Sequence, residues 1–200
     1  MSTPRHWLFA AVPFTAAFFS LAVLGQSLWI PAKAELAQWL IERSWQAALD
    51  GNTGMPPWPW ADTQAVAVLE VPEQGIRQVV LAGNTGRNLA FGPVILEATA
   101  NGRDWIISGH RDTHFRFLER LKKGDRLSID TPQTTQWFEV RTVDIVDSRH
   151  EELVIEPGLE RISLVTCYPF NSPDAGGPWR YVVTALPLKD SASPRPLSSG

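Results

Sequence analysis

The sequence has a single cysteine, Cys167, among its 200 residues. That excludes an intrachain disulfide, so the cysteine count does not report a redox compartment. It also means that any thiol chemistry must come from one side chain. Basic residues are not in excess: 18 Lys and Arg against 21 Asp and Glu give a formal net charge of -3. No basic footprint for nucleic acid exists. Charged residues make up only 20% and hydrophobic ones 44%, enough apolar material for a core. No repeat period is visible.

The cysteine lies in Arg161-Ile-Ser-Leu-Val-Thr-Cys-Tyr-Pro-Phe170. Ile162 to Thr166 reads as a short strand of branched and hydroxylated residues, stopped by Pro169, Asn171, Pro173, Gly176 and Gly177. Cys167 therefore stands at a strand end that opens onto a loop. Most free cysteines are small buried hydrophobes, and only the rest of the chain can argue otherwise.

Trp7 to Ile30 contains no charged residue. About two dozen residues at about 1.5 Å each can cross a hydrocarbon core of about 30 Å. Trp7 and Trp29 stand at its two ends, where amphipathic rings favour the interface. A cleaved signal peptide is the competing reading, but the run is long for a signal h-region and no convincing small-x-small cleavage site precedes Lys33. Arg5 on one side and Lys33 and Arg43 on the other leave the orientation nearly balanced. Pro31 is expected to open a second helix, Ala32 to Leu49, with an apolar stripe of Leu36, Trp39, Leu40, Trp45 and Leu49. The turn-rich Asp50 to Trp60 reads as a linker. The expected organisation is an anchor over 1–31, a helical stalk and linker over 32–60, a β domain over 61–187 and a disordered tail over 188–200.

From Ala61 the pattern changes to short strands: Ala65–Val71, Gln78–Leu81, Val94–Ala98, Asp104–Ser108, Arg126–Asp130, Gln136–Val146, Arg161–Thr166 and Arg180–Leu186. One helix is expected, His114 to Lys123, with Phe117, Leu118 and Leu121 on one face and Gly124 as its stop. Many short strands with turn residues between them argue for a mainly β, closed or nearly closed barrel of about 125 residues.

A cysteine nucleophile needs a base or cation beside it, because the thiolate is the attacking species. Of the four histidines, His6 belongs to the N-terminal tail and His150 to a charged turn. His110 and His114 lie in Ile107-Ser-Gly-His-Arg-Asp-Thr-His-Phe115, and His110 sits at the lip of a strand, as Cys167 does. A loop histidine is more often merely solvated. A cation can hold the oxyanion of a tetrahedral intermediate. Arg180 follows Gly176-Gly-Pro-Trp179 and opens a strand, so a strand neighbouring that of Cys167 would place it at the same rim. A surface arginine in an ordinary ion pair is the alternative.

Gly-His-Arg-Asp-Thr-His-Phe, then Ser-Leu-Val-Thr-Cys-Tyr-Pro-Phe, then Trp-Arg-Tyr-Val-Val together resemble the three signatures of the sortase family. The likeness covers roughly Ala65 to Leu186 and looks most like the sortases of Gram-negative bacteria; Ser163 stands where the family usually has Thr. It implies an eight-stranded sortase barrel behind a transmembrane helix and a second membrane-proximal helix. It implies Cys167 as nucleophile, His110 as general acid and base, and Arg180 as stabiliser of oxyanion or substrate. Thr166, Tyr168 and Trp179 are candidate substrate-binding residues, although a barrel core explains Tyr168 and Trp179 equally well. The implied activity is a cysteine transpeptidase acting on an exported protein with a C-terminal Leu-Pro-x-Thr-Gly-like signal, with transfer to an amine. The implied location is the inner membrane, with the barrel outside the cytoplasm. No cofactor is expected and no metal, since Glu151 and Glu152 are not spaced as calcium ligands.

Three other readings remain open at this level. Water could resolve the thioester, giving a hydrolase. His110, His114 and Cys167 could hold a metal, with no strong fourth ligand in sight. An anchored barrel could bind a partner without catalysis. Arg111, Asp112 and His114 are better candidates for supporting the His110 loop than for chemistry.

Overall fold

The computed structural model describes residues 6–83, 85–95, 104–153, 159–172, 176–188 and 193–194. Two compact units divide between Trp39 and Leu40. Helix α1, His6–Leu49, supplies the described part of the first and its final turns open the second. The two helices expected on either side of Pro31 are thus one. A proline removes one backbone bond and crowds the preceding turn, but the Ala, Glu and Leu residues that follow Pro31 favour helix strongly enough to carry it on. Among the described residues no helix is long and apolar enough to cross a membrane. The side chains of residues 6–18, 21, 22, 24 and 28 lie outside the described set, and with them much of the anchor expected over Trp7 to Ile30.

The second unit reaches back to Leu40, further than the Ala61 expected from the linker. Ile41, Ser44, Trp45 and Ala48 repeat at helical spacing and are buried, whereas Leu36 and Trp39 of the expected stripe are exposed. Trp45 and Ala48 pack with Ala65 and Val68, and Ile41 packs with Leu81, Val94 and Trp58. The Ser44 hydroxyl donates to the Met55 carbonyl at 2.6 Å, tying the presumed linker down.

The strands are β1 (Ala65–Val71), β2 (Ile76–Ala82), β3 (Val94–Ile95), β4 (Asp104–Ser108), β5 (Arg126–Asp130), β6 (Thr134–Asp147), β7 (Arg161–Cys167), β8 (Trp179–Pro187) and β9 (Ser193–Pro194). Their order is β5-β1-β2-β3-β4-β7-β8-β6, and a further β5–β6 pairing closes eight strands into a barrel. The part of β3 expected beyond Ile95 lies outside the described residues. In the tail that was expected to be disordered, Ser193–Pro194 instead pairs with Thr134–Thr135. There β8 has already ended, at Pro187 opposite Phe138, so β6 still offers an open edge.

The barrel is filled by Leu69, Ile95, Ile107, Phe115, Leu118, Leu127, Ile129, Phe138, Ile162 and Leu164, all essentially inaccessible. Strand β7 is buried from Ile162 to Thr166 because both its faces are covered. Ile162 and Leu164 point inward, while Val165 joins Ile106 and Val182 in a small cluster on the outer face. The helix expected over His114 to Lys123 is a 310 helix, Arg116–Arg120. Phe115, Leu118 and Leu121 are buried at three-residue spacing, and the amides of Leu118 and Leu121 donate to carbonyls three residues back, each at 3.1 Å. Three residues per turn is the 310 period. A short helix α2, Gly86–Leu89, was not anticipated; Thr85 caps it by accepting from the Asn88 amide at 3.3 Å.

Candidate active site

Two strand pairings bring the three expected residues together. Strands β4 and β7 run parallel with Ser108 beside Val165. Two residues on, the same direction carries the chain to His110 and to Cys167. Strands β7 and β8 run antiparallel with Cys167 directly opposite Arg180. Opposed residues share a face, with Cβ atoms about 5 Å apart. Cys167 thus shares the outer face with Val165, and Arg180 shares it with Val182. The site lies just beyond the Ile106–Val165–Val182 cluster.

A cleft of about 290 Å³ opens there, and its lining includes His110, Cys167, Arg180, Val165, Leu89 and Gly176. Cys167 is partly exposed rather than packed away. The last ladder bond runs from the Gly109 amide to the Val165 carbonyl at 3.1 Å, and the Thr166 hydroxyl donates to the Gly109 carbonyl at 2.8 Å. Glycine is required at 109 by space, since a Cβ would stand 2.4 Å from the Phe115 ring. The Phe115 amide donates to the His110 carbonyl at 3.0 Å, bending the chain into the turn that presents His110.

His110 is exposed, and its Nδ1 accepts from the Asp112 amide at 3.2 Å. The Asp112 carboxyl is held below its ordinary range, first by its hydrogen bond to Arg111 and also by the nearby charges of Arg111, His110 and Arg116. Arg180 Nη1 donates to the carbonyls of Gly177 at 2.6 Å and Trp179 at 2.9 Å. Gly176 and Gly177 have φ of 104° and 95°, and a Cβ on either would meet nothing within 4 Å. Backbone conformation, not space, calls for glycine there.

The family model of the sortase domain matches residues 69–188. The chain belongs to the sortase family. Sortase D of Bacillus subtilis (strain 168) is 30% identical over 125 residues, which is 60% of this chain and 62% of that protein, so the chain spans less than two thirds of this relative. Sortase A of Corynebacterium diphtheriae matches with a TM-score of 0.56 at 22% identity, over 65% of this chain and 63% of its own. Sortase C-1 of Actinomyces oris gives 0.53 at 26%, over 62% and 75%. A Clostridium perfringens sortase C, solved with the C-terminal cell wall sorting motif, gives 0.56 at 18%, over 79% and 90%. The likenesses under 25% identity bear on the fold alone, and that fold is the sortase barrel.

Within this sortase barrel the other candidates fall apart in space. Thr166 lines the cleft but is buried, with its hydroxyl committed to Gly109. Tyr168 stacks on Tyr181 at 6.1 Å and meets Phe170 edge-on at 6.3 Å, and it is not part of the cleft lining. Trp179, 44% exposed, also lies off the lining. His114 turns away to Gln78, with Nδ1 at 3.2 Å from Oε1. Among the described residues no three or more His, Cys, Asp or Glu side chains group as metal ligands. Leu89 of α2 joins the cleft without having been anticipated. Its one sequence signal was Thr85 at a helix-capping position.

Proposed function

We propose that this sortase-family chain is a cysteine transpeptidase that cuts a C-terminal Leu-Pro-x-Thr-Gly-like signal and passes the acyl group to an amine. The reading rests chiefly on one observation: strand register aligns Cys167 with Arg180 on one side and carries His110 alongside it on the other. The Cys167 thiolate attacks the scissile carbonyl carbon, and the carbon–sulfur bond forms as charge builds on oxygen. Arg180 holds that oxyanion. The carbon–nitrogen bond then breaks, and imidazolium His110 gives its Nε2 proton to the departing amine. An incoming amine attacks the thioester, yields its proton to His110 and releases the thiolate. A charged His110 cannot accept at Nδ1, so the Asp112 amide contact must open during this cycle, leaving the adjacent Asp112 carboxylate to face the charge.

Membership of the sortase family supports a sorting-signal substrate. The uncharged Trp7–Ile30 stretch within α1 supports a membrane anchor, and the family likeness supports the inner membrane with the barrel outside the cytoplasm. The motif spelling supports the Gram-negative subgroup. The test is intact-mass detection of an acyl adduct on Cys167 after incubation with sorting-signal peptides. Wild type is expected to gain the acyl mass and Cys167→Ala none. An added amine should then convert adduct to amide, whereas release to acid alone would mark a hydrolase. A wild type that no signal peptide of this class acylates would refute the reading.

A further inference from the structure

Arg111 is 5% exposed although it sits on a turn beside an open cleft. A buried guanidinium is costly unless its donors are met, and here they are met by two separate stretches of chain. Nε and Nη2 grip the Asp112 carboxylate at 2.8 and 3.0 Å. Nη1 reaches the Pro169 carbonyl at 2.8 Å, and Nη2 reaches the Ser172 carbonyl at 2.9 Å. One stretch carries His110. The other is the segment that leaves Cys167.

The β4–β7 ladder explains why such a link matters. Its last backbone bond is Gly109 to Val165, and the Thr166 hydroxyl adds one more tie to Gly109. Both functional side chains lie beyond that point. Past the ladder's end the two lips are joined by the buried bonds of Arg111 to Pro169 and Ser172 and, at the exposed surface, by Arg116 Nη2 donating to Asn171 Oδ1 at 3.3 Å. The planar fork of Arg111 matches a carboxylate in a way that a lysine ammonium does not.

We propose that Arg111 is a positioning residue, a buried clamp that fixes the spacing of the His110 turn from the Cys167 strand end and keeps the Asp112 carboxylate beside His110. The electrostatics agree. Arg111 is pushed above its ordinary value first by its bond to Asp112 and, in smaller part, by Cys167, while His110 helps to lower Asp112. The clamp's charges therefore couple to both reacting groups.

The same strand pair carries an internal control. At its far end Arg161 grips Asp104, with two bonds of 2.9 Å. Full-length wild type, Arg111→Lys and Arg161→Lys are compared in melting temperature, in the pH profile of Cys167 alkylation by iodoacetamide, and in acyl-enzyme formation against peptide concentration. Arg161→Lys is expected to lower the melting temperature while leaving the alkylation profile and the acylation rate per folded molecule unchanged. Arg111→Lys is expected to cut kcat for acylation about tenfold to a hundredfold with little change in KM, since small misplacements of reacting groups cost that much. It should also displace the alkylation profile. Should Arg111→Lys fail to fold, Asp112→Asn replaces it, with the same expectation. Wild-type kcat and profile in the clamp variant, or a loss matched by Arg161→Lys at equal melting temperature, overturns the clamp. The inference rests on the proposed nucleophile and base, and the two fail differently. A wild type that never acylates sinks that reading, whereas one that acylates beside an unimpaired clamp variant sinks only this one.

Discussion

At Gly109 a missing side chain decides where His110 stands, because the Phe115 ring occupies the space a Cβ would take. Such a requirement cannot be read along the chain, since the two residues meet only through the turn between them. His114 gives a second case. Burial pushes its imidazole below the ordinary value, opposed in part by a backbone hydrogen bond with Ala90 and reinforced by the charge of His110. A base with a depressed folded pKa binds fewer protons folded than unfolded, so stability rises with pH through the titration. The contribution is present above about pH 6.5, the unfolded value, and is lost as pH falls below it. Urea unfolding between about pH 7.5 and about pH 5 should therefore show a falling midpoint in wild type and a flatter one in His114→Gln. Equal slopes would show that His114 is not the titrating group. That His110, Cys167 and Arg180 would meet at one cleft was legible from motif and strand-end position. Arg111 read as a support for its own loop, but its ties to Pro169 and Ser172 were not legible, because their carbonyls are groups that any sequence would supply.

Strand β7 was legible almost to the residue, as were β1, β4 and β5, because branched apolar runs ended by turn residues leave little choice. The segment after His110 misled, since Phe117, Leu118 and Leu121 fit a 3.6-residue period nearly as well as the three-residue period of Phe115, Leu118 and Leu121. The relative register of β4 and β7 is an element-scale property with its own lock. Asp104 lies beside Arg161 in the parallel pairing, 1% exposed, with both carboxylate oxygens engaged. Removing one partner of a buried pair leaves the other uncompensated. Asp104→Asn should therefore cost about 3 kcal/mol in chemical denaturation. A loss under about 0.5 kcal/mol would show that the ladder keeps its register without the pair.

The barrel does not end where its strands do. Ile41, Trp45 and Ala48 of α1 and Trp58 of the following turn cover β1, β2 and β3. Burying one large apolar side chain contributes about 1.5–3 kcal/mol, so Ile41 and Trp45 together account for several kcal/mol of a typical domain stability of about 5–15 kcal/mol. A chain begun at Leu40 should fold cooperatively, and one begun at Ala61 should melt much lower or fail to fold, as followed by circular dichroism. Equal melting temperatures would show that the helix is dispensable to the barrel. The sequence by itself determined the strands, the lone thiol, the three family signatures and the barrel they imply, since these depend on local pattern and on residue identity. Only the tertiary structure decided that α1 runs unbroken and packs its Ile41 face on the barrel, that β6 gains a ninth strand, and that Arg111 ties two lips beyond the ladder. Each of these depends on which surfaces and carbonyls are brought close by chain closure, and closure joins residues whose separation along the sequence carries no periodic signal.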